Sequence, residues 1–99
     1  MVAFREGGLV KSLAGHDRNE LYIIISVQKE YVSLSDGRKH PAGRPKRKNK
    51  KHLQLINRWD EEIRTKLTQS DGAADEAIEA FIRTHRQQEG KKNVKSRRN

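Results

Sequence analysis

Hydrophobic and polar positions alternate with a period of two over most of the first half of this chain, the signature of strands with distinct faces. Over residues 8–14, Val10, Ser12 and Ala14 fall on one side and Leu9, Lys11 and Leu13 on the other. A polar cluster follows, Gly15-His16-Asp17-Arg18-Asn19, with Gly15 and Asn19 suited to left-handed turn positions. Residues 21–27 form the strongest predicted strand, rich in β-branched and aromatic side chains. Its positions Leu21, Ile23, Ile25 and Val27 are expected to face the core, with Tyr22 and Ile24 covering the other face. Gln28-Lys29-Glu30 reads as a turn, and residues 31–35 as a short strand with Val32 and Leu34 inward. Asp36-Gly37 signals another turn, and Leu53 and Leu55, alternating with His52 and Gln54, suggest a last short strand. Several short strands joined by tight turns predict a small sheet curled into a barrel.

Beyond residue 56 the period changes to that of helices. Asn57 is a candidate cap for a helix whose apolar positions Trp59, Ile63 and Leu67 recur every four residues. Asp60, Glu61 and Glu62 would then lie in its first turn, where the helix dipole favours acids. Asp71 can cap a second helix carrying Ala74, Ala77, Ile78, Phe81, Ile82 and His85 on one face, with Gly90 as its stop. The pair predicts a helical hairpin over 57–89 that packs Trp59, Leu67, Ile78, Phe81 and Ile82 together, or alternatively offers that stripe to a protein partner. Residues 90–99 read as a disordered basic tail. The expected fold class is thus mainly β with α: a barrel over residues 1–56, a helical hairpin over 57–89 and the tail.

Charge divides the chain along the same lines. Residues 1–59 hold thirteen Lys/Arg against five Asp/Glu, residues 60–89 four against eight, and residues 90–99 five against none. The net charge of +9 favours a polyanionic partner such as nucleic acid. With 99 residues and 32% hydrophobic content, one domain with a small core is expected. Absence of cysteine excludes disulfides and thiolate metal sites and fits a reducing cytoplasmic setting. Neither a membrane span nor a signal-peptide core is visible, so a soluble protein without a membrane partner is expected.

Residues 38–52, RKHPAGRPKRKNKKH, concentrate the basic charge: eight of fifteen positions are Lys or Arg and none is acidic. A basic run alone often signifies a solvated segment. Lying between two predicted strands, this one reads as a loop tied at both ends and stiffened by Pro41 and Pro45, cheaper to order on a ligand than a free tail. The pattern Gly8-x-Val10, Ala14-Gly15-x-Asp17, Leu21-Tyr22-x-Ile24-x-x-Val27 and Leu34-x-Asp36-Gly37 resembles a KOW domain. It is similar to that of large-subunit ribosomal protein family fourteen (the L14e-like family) and of the small KOW-domain proteins of bacterial ribosomal-protein operons. Where that family usually has a second glycine before the second strand, this chain has Asn19, the next most tolerant residue for a left-handed backbone. The resemblance implies an SH3-like barrel that binds structured RNA, typically ribosomal RNA, with a role in translation or ribosome assembly.

The candidate RNA contacts are His16 and Arg18 at the first turn and Arg38, Lys39, Arg44, Lys46, Arg47, Lys48, Lys50 and Lys51 in the basic loop. An alternative is DNA binding through Gly43-Arg44-Pro45-Lys46-Arg47-Lys48, which resembles an AT-hook with Ala42 in place of the first arginine; a protein-interaction module is a third. Few aromatics argue against a single-strand stacking platform, for which only Tyr22 and Tyr31 could serve. No catalytic constellation is expected. No phosphate-cradling loop or nucleophile elbow is present, and Glu61 and Glu62 are adjacent and diverge on a helix. His16, His40, His52 and His85 lack the spacing of a helical metal pair, so no cofactor or small-molecule substrate is implied.

Overall fold

A computed structural model describes residues 3–68 and 72–98. Five strands, β1 Gly8–Ser12, β2 Leu21–Val27, β3 Tyr31–Ser35, β4 Lys46–Asn49 and β5 Leu53–Trp59, precede two helices, α1 Glu61–Lys66 and α2 Ala73–Arg98. A single 3₁₀ turn, Lys50–His52, joins β4 to β5. The strands form one antiparallel sheet in the order β4-β3-β2-β1-β5. It is not closed: β4 and β5 are its two edges, so the hydrogen-bonded ladder is that of an open sheet rather than the expected barrel.

Both faces of the sheet are buried at its centre. Leu9, Leu21 and Ile23 pack with Ile63 of α1 and with Ala74, Ile78 and Ile82 of α2. On the opposite face Val10, Tyr22, Ile24, Val32, Leu34 and Leu53 form a second core, with Val32 and Leu34 inward as their alternation predicts. The division within β2 differs from expectation. Tyr22 and Ile24 are as buried as Leu21 and Ile23, whereas Val27 is 38% exposed. A register shift between Ile24 and Ser26 against β3 explains this: the extra residue breaks the two-residue period and turns the end of β2 out of the core. A run apolar at every position, Leu21-Tyr22-Ile23-Ile24, is what burial on both faces requires.

The helical region is also redistributed. Asn57 and Trp59 belong to β5, paired to β1, and the cap of α1 is Asp60, whose carboxylate accepts from the Glu62 N–H at 2.8 Å. Trp59 is 46% exposed and lies under the Arg5 guanidinium instead of joining the helical core. Ile78 and Ile82 are buried there as predicted, with Leu67 and Phe81 partly buried against them. Asp71, the expected cap of the second helix, lies outside the described residues. Gly90 does not end α2, which runs on to Arg98, so the segment read as a disordered tail is helical through residue 98. A glycine inside a helix costs only about 1 kcal/mol relative to alanine. It stops the helix only by taking a left-handed backbone, which Gly90 does not do. Among the described residues no helix is long and apolar enough to cross a membrane.

Candidate nucleic-acid interface

The basic stretch is not one loop. Its first part, residues 36–45, links β3 to β4 and is held in shape from two sides. The Asp36 carboxylate accepts from the N–H groups of Arg38 (3.0 Å) and His40 (2.8 Å), while Gly37 takes φ +78°. That glycine packs directly on the backbone of Asp75 in the first turn of α2, and Asp75 in turn accepts from the Ala42 N–H at 2.7 Å. Arg38 reaches Glu79 of α2 at 3.4 Å. The loop is thereby docked on the N-terminal end of α2.

The second part is β4, and strand alternation splits its cations. Lys46 and Lys48 pair with Leu34 and Val32 and share their inward face. Their ammonium groups both end on the Asp17 carboxylate at 2.8 Å, and Lys48 also donates to the Ala14 carbonyl. Asp17 accepts further hydrogen bonds from the hydroxyls of Ser12 and Tyr22. Burial, the largest single influence on Asp17, would raise its pKa. The bonds from Lys46, Lys48, Tyr22 and Ser12 together outweigh it and hold the carboxyl well below its ordinary value of 3.8. Burial and the neighbouring Asp17 carboxylate push the Tyr22 phenol above its usual 10.0. Lys48, with a side chain only 13% exposed, is thus a tie between the sheet edge and the β1–β2 turn rather than a free cation. An AT-hook-like arm formed by residues 43–48 would have to leave the sheet.

Arg47 points the other way. Its guanidinium lies 4.4 Å from the centre of the Tyr31 ring on the outer face. Asn49 caps the following 3₁₀ turn by accepting from the Lys51 N–H. Lys50 donates to the Lys29 carbonyl at 2.9 Å and sits over Phe4. The ten residues singled out from sequence therefore fall into three sets. Lys46 and Lys48 are internal ties. His16, Arg38 and Lys39, together with Lys46, line an open groove of about 1000 Å³ between the sheet and α2. Arg18, Arg44, Arg47, Lys50 and Lys51 lie outside it, and none of these five forms an ion pair with a carboxylate among the described residues.

Sequence reading missed Arg83 and Arg86, which complete the groove wall from α2. Their spacing of three residues, off the buried stripe of Ile78, Ile82 and His85, could have placed them on a shared exposed side. It could not have shown that each meets a carboxylate, Glu79 for Arg83 and Glu20 for Arg86. Lys29, in the β2–β3 turn beside Lys50, was missed as well. Among the described residues no group of three or more acidic or histidine side chains could hold a metal ion. Comparison of the chain with protein-family models and with curated proteins gives no match.

Proposed function

We propose that this protein binds RNA, with ribosomal RNA or the large ribosomal subunit as its target and a role in translation or ribosome assembly. The contacts are the cations of the β4 side, Arg44, Arg47, Lys50 and Lys51, with Arg18 and Lys39 at the margins. The observation that carries this reading is the sorting of charge. The groove arginines Arg38, Arg83 and Arg86 are neutralised by Glu79 and Glu20, and the inward lysines by Asp17, whereas Arg44, Arg47, Lys50 and Lys51 have no carboxylate partner among the described residues. Uncompensated cations are what a phosphate backbone engages, since each contact releases a condensed counterion. The KOW resemblance agrees with the strand order β4-β3-β2-β1-β5, in which the last strand returns to pair with the first. On that basis we further propose an SH3-like arrangement bent at the β2 bulge. Asn19, at φ +74°, adopts the left-handed turn that the family's glycine position requires.

The test is affinity for ribosomal RNA fragments, A·T-rich duplex DNA and G·C-rich duplex DNA across a salt series, beside co-sedimentation with ribosomal subunits. Preferential, salt-sensitive RNA binding with subunit co-sedimentation is expected. Replacing Arg44, Arg47, Lys50 and Lys51 together by Ala should flatten the salt dependence, by about 0.7–0.9 in log–log slope for each phosphate that is no longer neutralised. Equal affinity for every polyanion, without co-sedimentation, would defeat the proposal.

A further inference from the structure

The two edges of the sheet are guarded unequally. β4 is a run of cations, Lys46-Arg47-Lys48, which discourages another strand from pairing with it. Of the seven residues of β5 only Arg58 is charged, and none is proline. Hydrogen bonding fixes which backbone groups of β5 are spare. The Ser12 N–H donates to the Glu20 carbonyl and the Ser12 carbonyl accepts from the Asn19 N–H, so Ser12 turns its polar groups toward β2. Leu9 and Lys11 therefore turn theirs toward β5, where they meet Ile56 and Gln54. By the same alternation the Leu53 carbonyl, the Leu55 N–H and carbonyl, and the Asn57 N–H point away from β1. None of these four groups has a hydrogen-bond partner among the described residues. Beside them opens a cavity of about 280 Å³, lined by Leu55, Ile56 and Trp59 of β5 together with Leu9, Arg5 and Arg58. Trp59 is 46% exposed there. Charge around the edge has one sign: Lys50 and Lys51 precede the strand, and no acid occurs over residues 37–59. Arg5 pairs with Glu61 at 3.2 Å, and Arg58 with no carboxylate among the described residues.

We infer that β5 is a docking edge for an extended acidic segment of a partner protein, which adds to the sheet as a sixth strand and seats an apolar side chain in the cavity. In strand addition the main-chain bonds give affinity and pockets for alternate side chains give specificity; β5 offers both side by side. The cations at its two ends select an acidic segment over a neutral or basic one. A second copy of this chain is the poorer occupant, because two molecules of net charge +9 repel each other. Strand addition at β5 holds or fails independently of RNA binding at the β4 side.

The probe is a capped peptide of alternating glutamate and valine, about eight residues long, added to the full chain, with its lysine-for-glutamate counterpart as control. In the free protein the Leu55 and Asn57 amides are expected to exchange with solvent quickly, and those of Gln54 and Ile56, bonded to β1, slowly. Saturating glutamate peptide should slow exchange at Leu55 and Asn57 by about tenfold or more, and the lysine peptide should bind about tenfold more weakly. Asn57→Pro, which removes one outward N–H and no bond to β1, should weaken the glutamate peptide by about three- to tenfold. Failure of the glutamate peptide to bind, binding that leaves exchange at Leu55 and Asn57 unchanged, or equal affinity for the lysine peptide overturns the inference. Each of these is read on the unaltered chain, so the outcome stands even where Asn57→Pro fails to fold. Protection of the same amides in the protein alone as its concentration rises would overturn it in favour of a second copy. Protection by duplex RNA and not by the peptide would overturn it in favour of nucleic acid.

Discussion

Among the described residues Asp17 gathers more of the molecule than any other side chain: Ser12 of β1, Tyr22 of β2, and Lys46 and Lys48 of β4 all donate to its carboxylate. Asparagine at this position keeps the size and leaves two lysines without their counter-charge, one of them nearly buried. Removing one partner of a buried ion pair is costly, and Asp17→Asn is expected to lower unfolding stability by about 2 kcal/mol or more. The pH dependence has a definite sign. The folded pKa of Asp17 is depressed, so its contribution is present in full above the unfolded value of 3.8. It declines as the pH falls below that value and is gone once the pH passes the folded one. Urea unfolding of both proteins as a function of pH should therefore show a constant gap at neutral pH that closes in acid. A gap unchanged in strong acid would mean that the charge of Asp17 is not what matters. In the same way Lys48→Ala should lower the melting temperature and leave the salt slope of RNA binding unchanged, whereas Arg47→Ala should do the reverse.

At the level of elements, the link between β3 and β4 depends on a close approach that only glycine permits. Gly37 has φ +78°, and a methyl group there would run into the backbone carbonyl of Asp75. Gly37→Ala should consequently lift residues 36–45 off α2, at a cost of about 1–3 kcal/mol. Faster amide exchange at Ala42, whose N–H bonds to Asp75, would report the loss locally. The turn itself was legible in the sequence, because Asp-Gly advertises it. Its docking surface was not, since nothing local to residues 36–37 encodes a contact with Asp75. The same distinction holds elsewhere. β1, β2 and β3 were readable from alternation and β-branched content, and α2 from its apolar stripe. β4 was hidden because Lys-Arg-Lys-Asn has neither apolar alternation nor β-branching; it is a strand because β3 offers a hydrogen-bonding edge to it. Its lysines also suit an exposed sheet edge, where charge discourages pairing with other chains. Reading the stretch as a loop therefore gave all its cations one role, when the strand period assigns them two.

At the scale of the whole molecule, the sheet and the helices depend on one another. The charge pattern divides the chain near residue 59, yet the largest apolar surface crosses that division. Leu9 and Ile23 are fully buried and Leu21 nearly so, under Ile63, Ile78 and Ile82 from the helices. Without residues 60–99 that face of the sheet would lie open, and the remaining core would be the six buried residues of the opposite face. So small a core does not sustain a domain of this length. A fragment of residues 1–59 is expected to lack a cooperative thermal transition and to expose apolar surface that binds a hydrophobic dye. In the full chain, Ile78→Ala should cost about 2–5 kcal/mol. Because Ile78 touches sheet and helices together, loss of strand and helix signals should stay coincident in that variant. Separate transitions, or a cooperatively folding 1–59 fragment, would establish the sheet as an autonomous unit. The helices would then be an appendage free to serve a protein partner, and Glu79, the acid that α2 gives to the groove, would need a role other than pairing with Arg38 and Arg83 there.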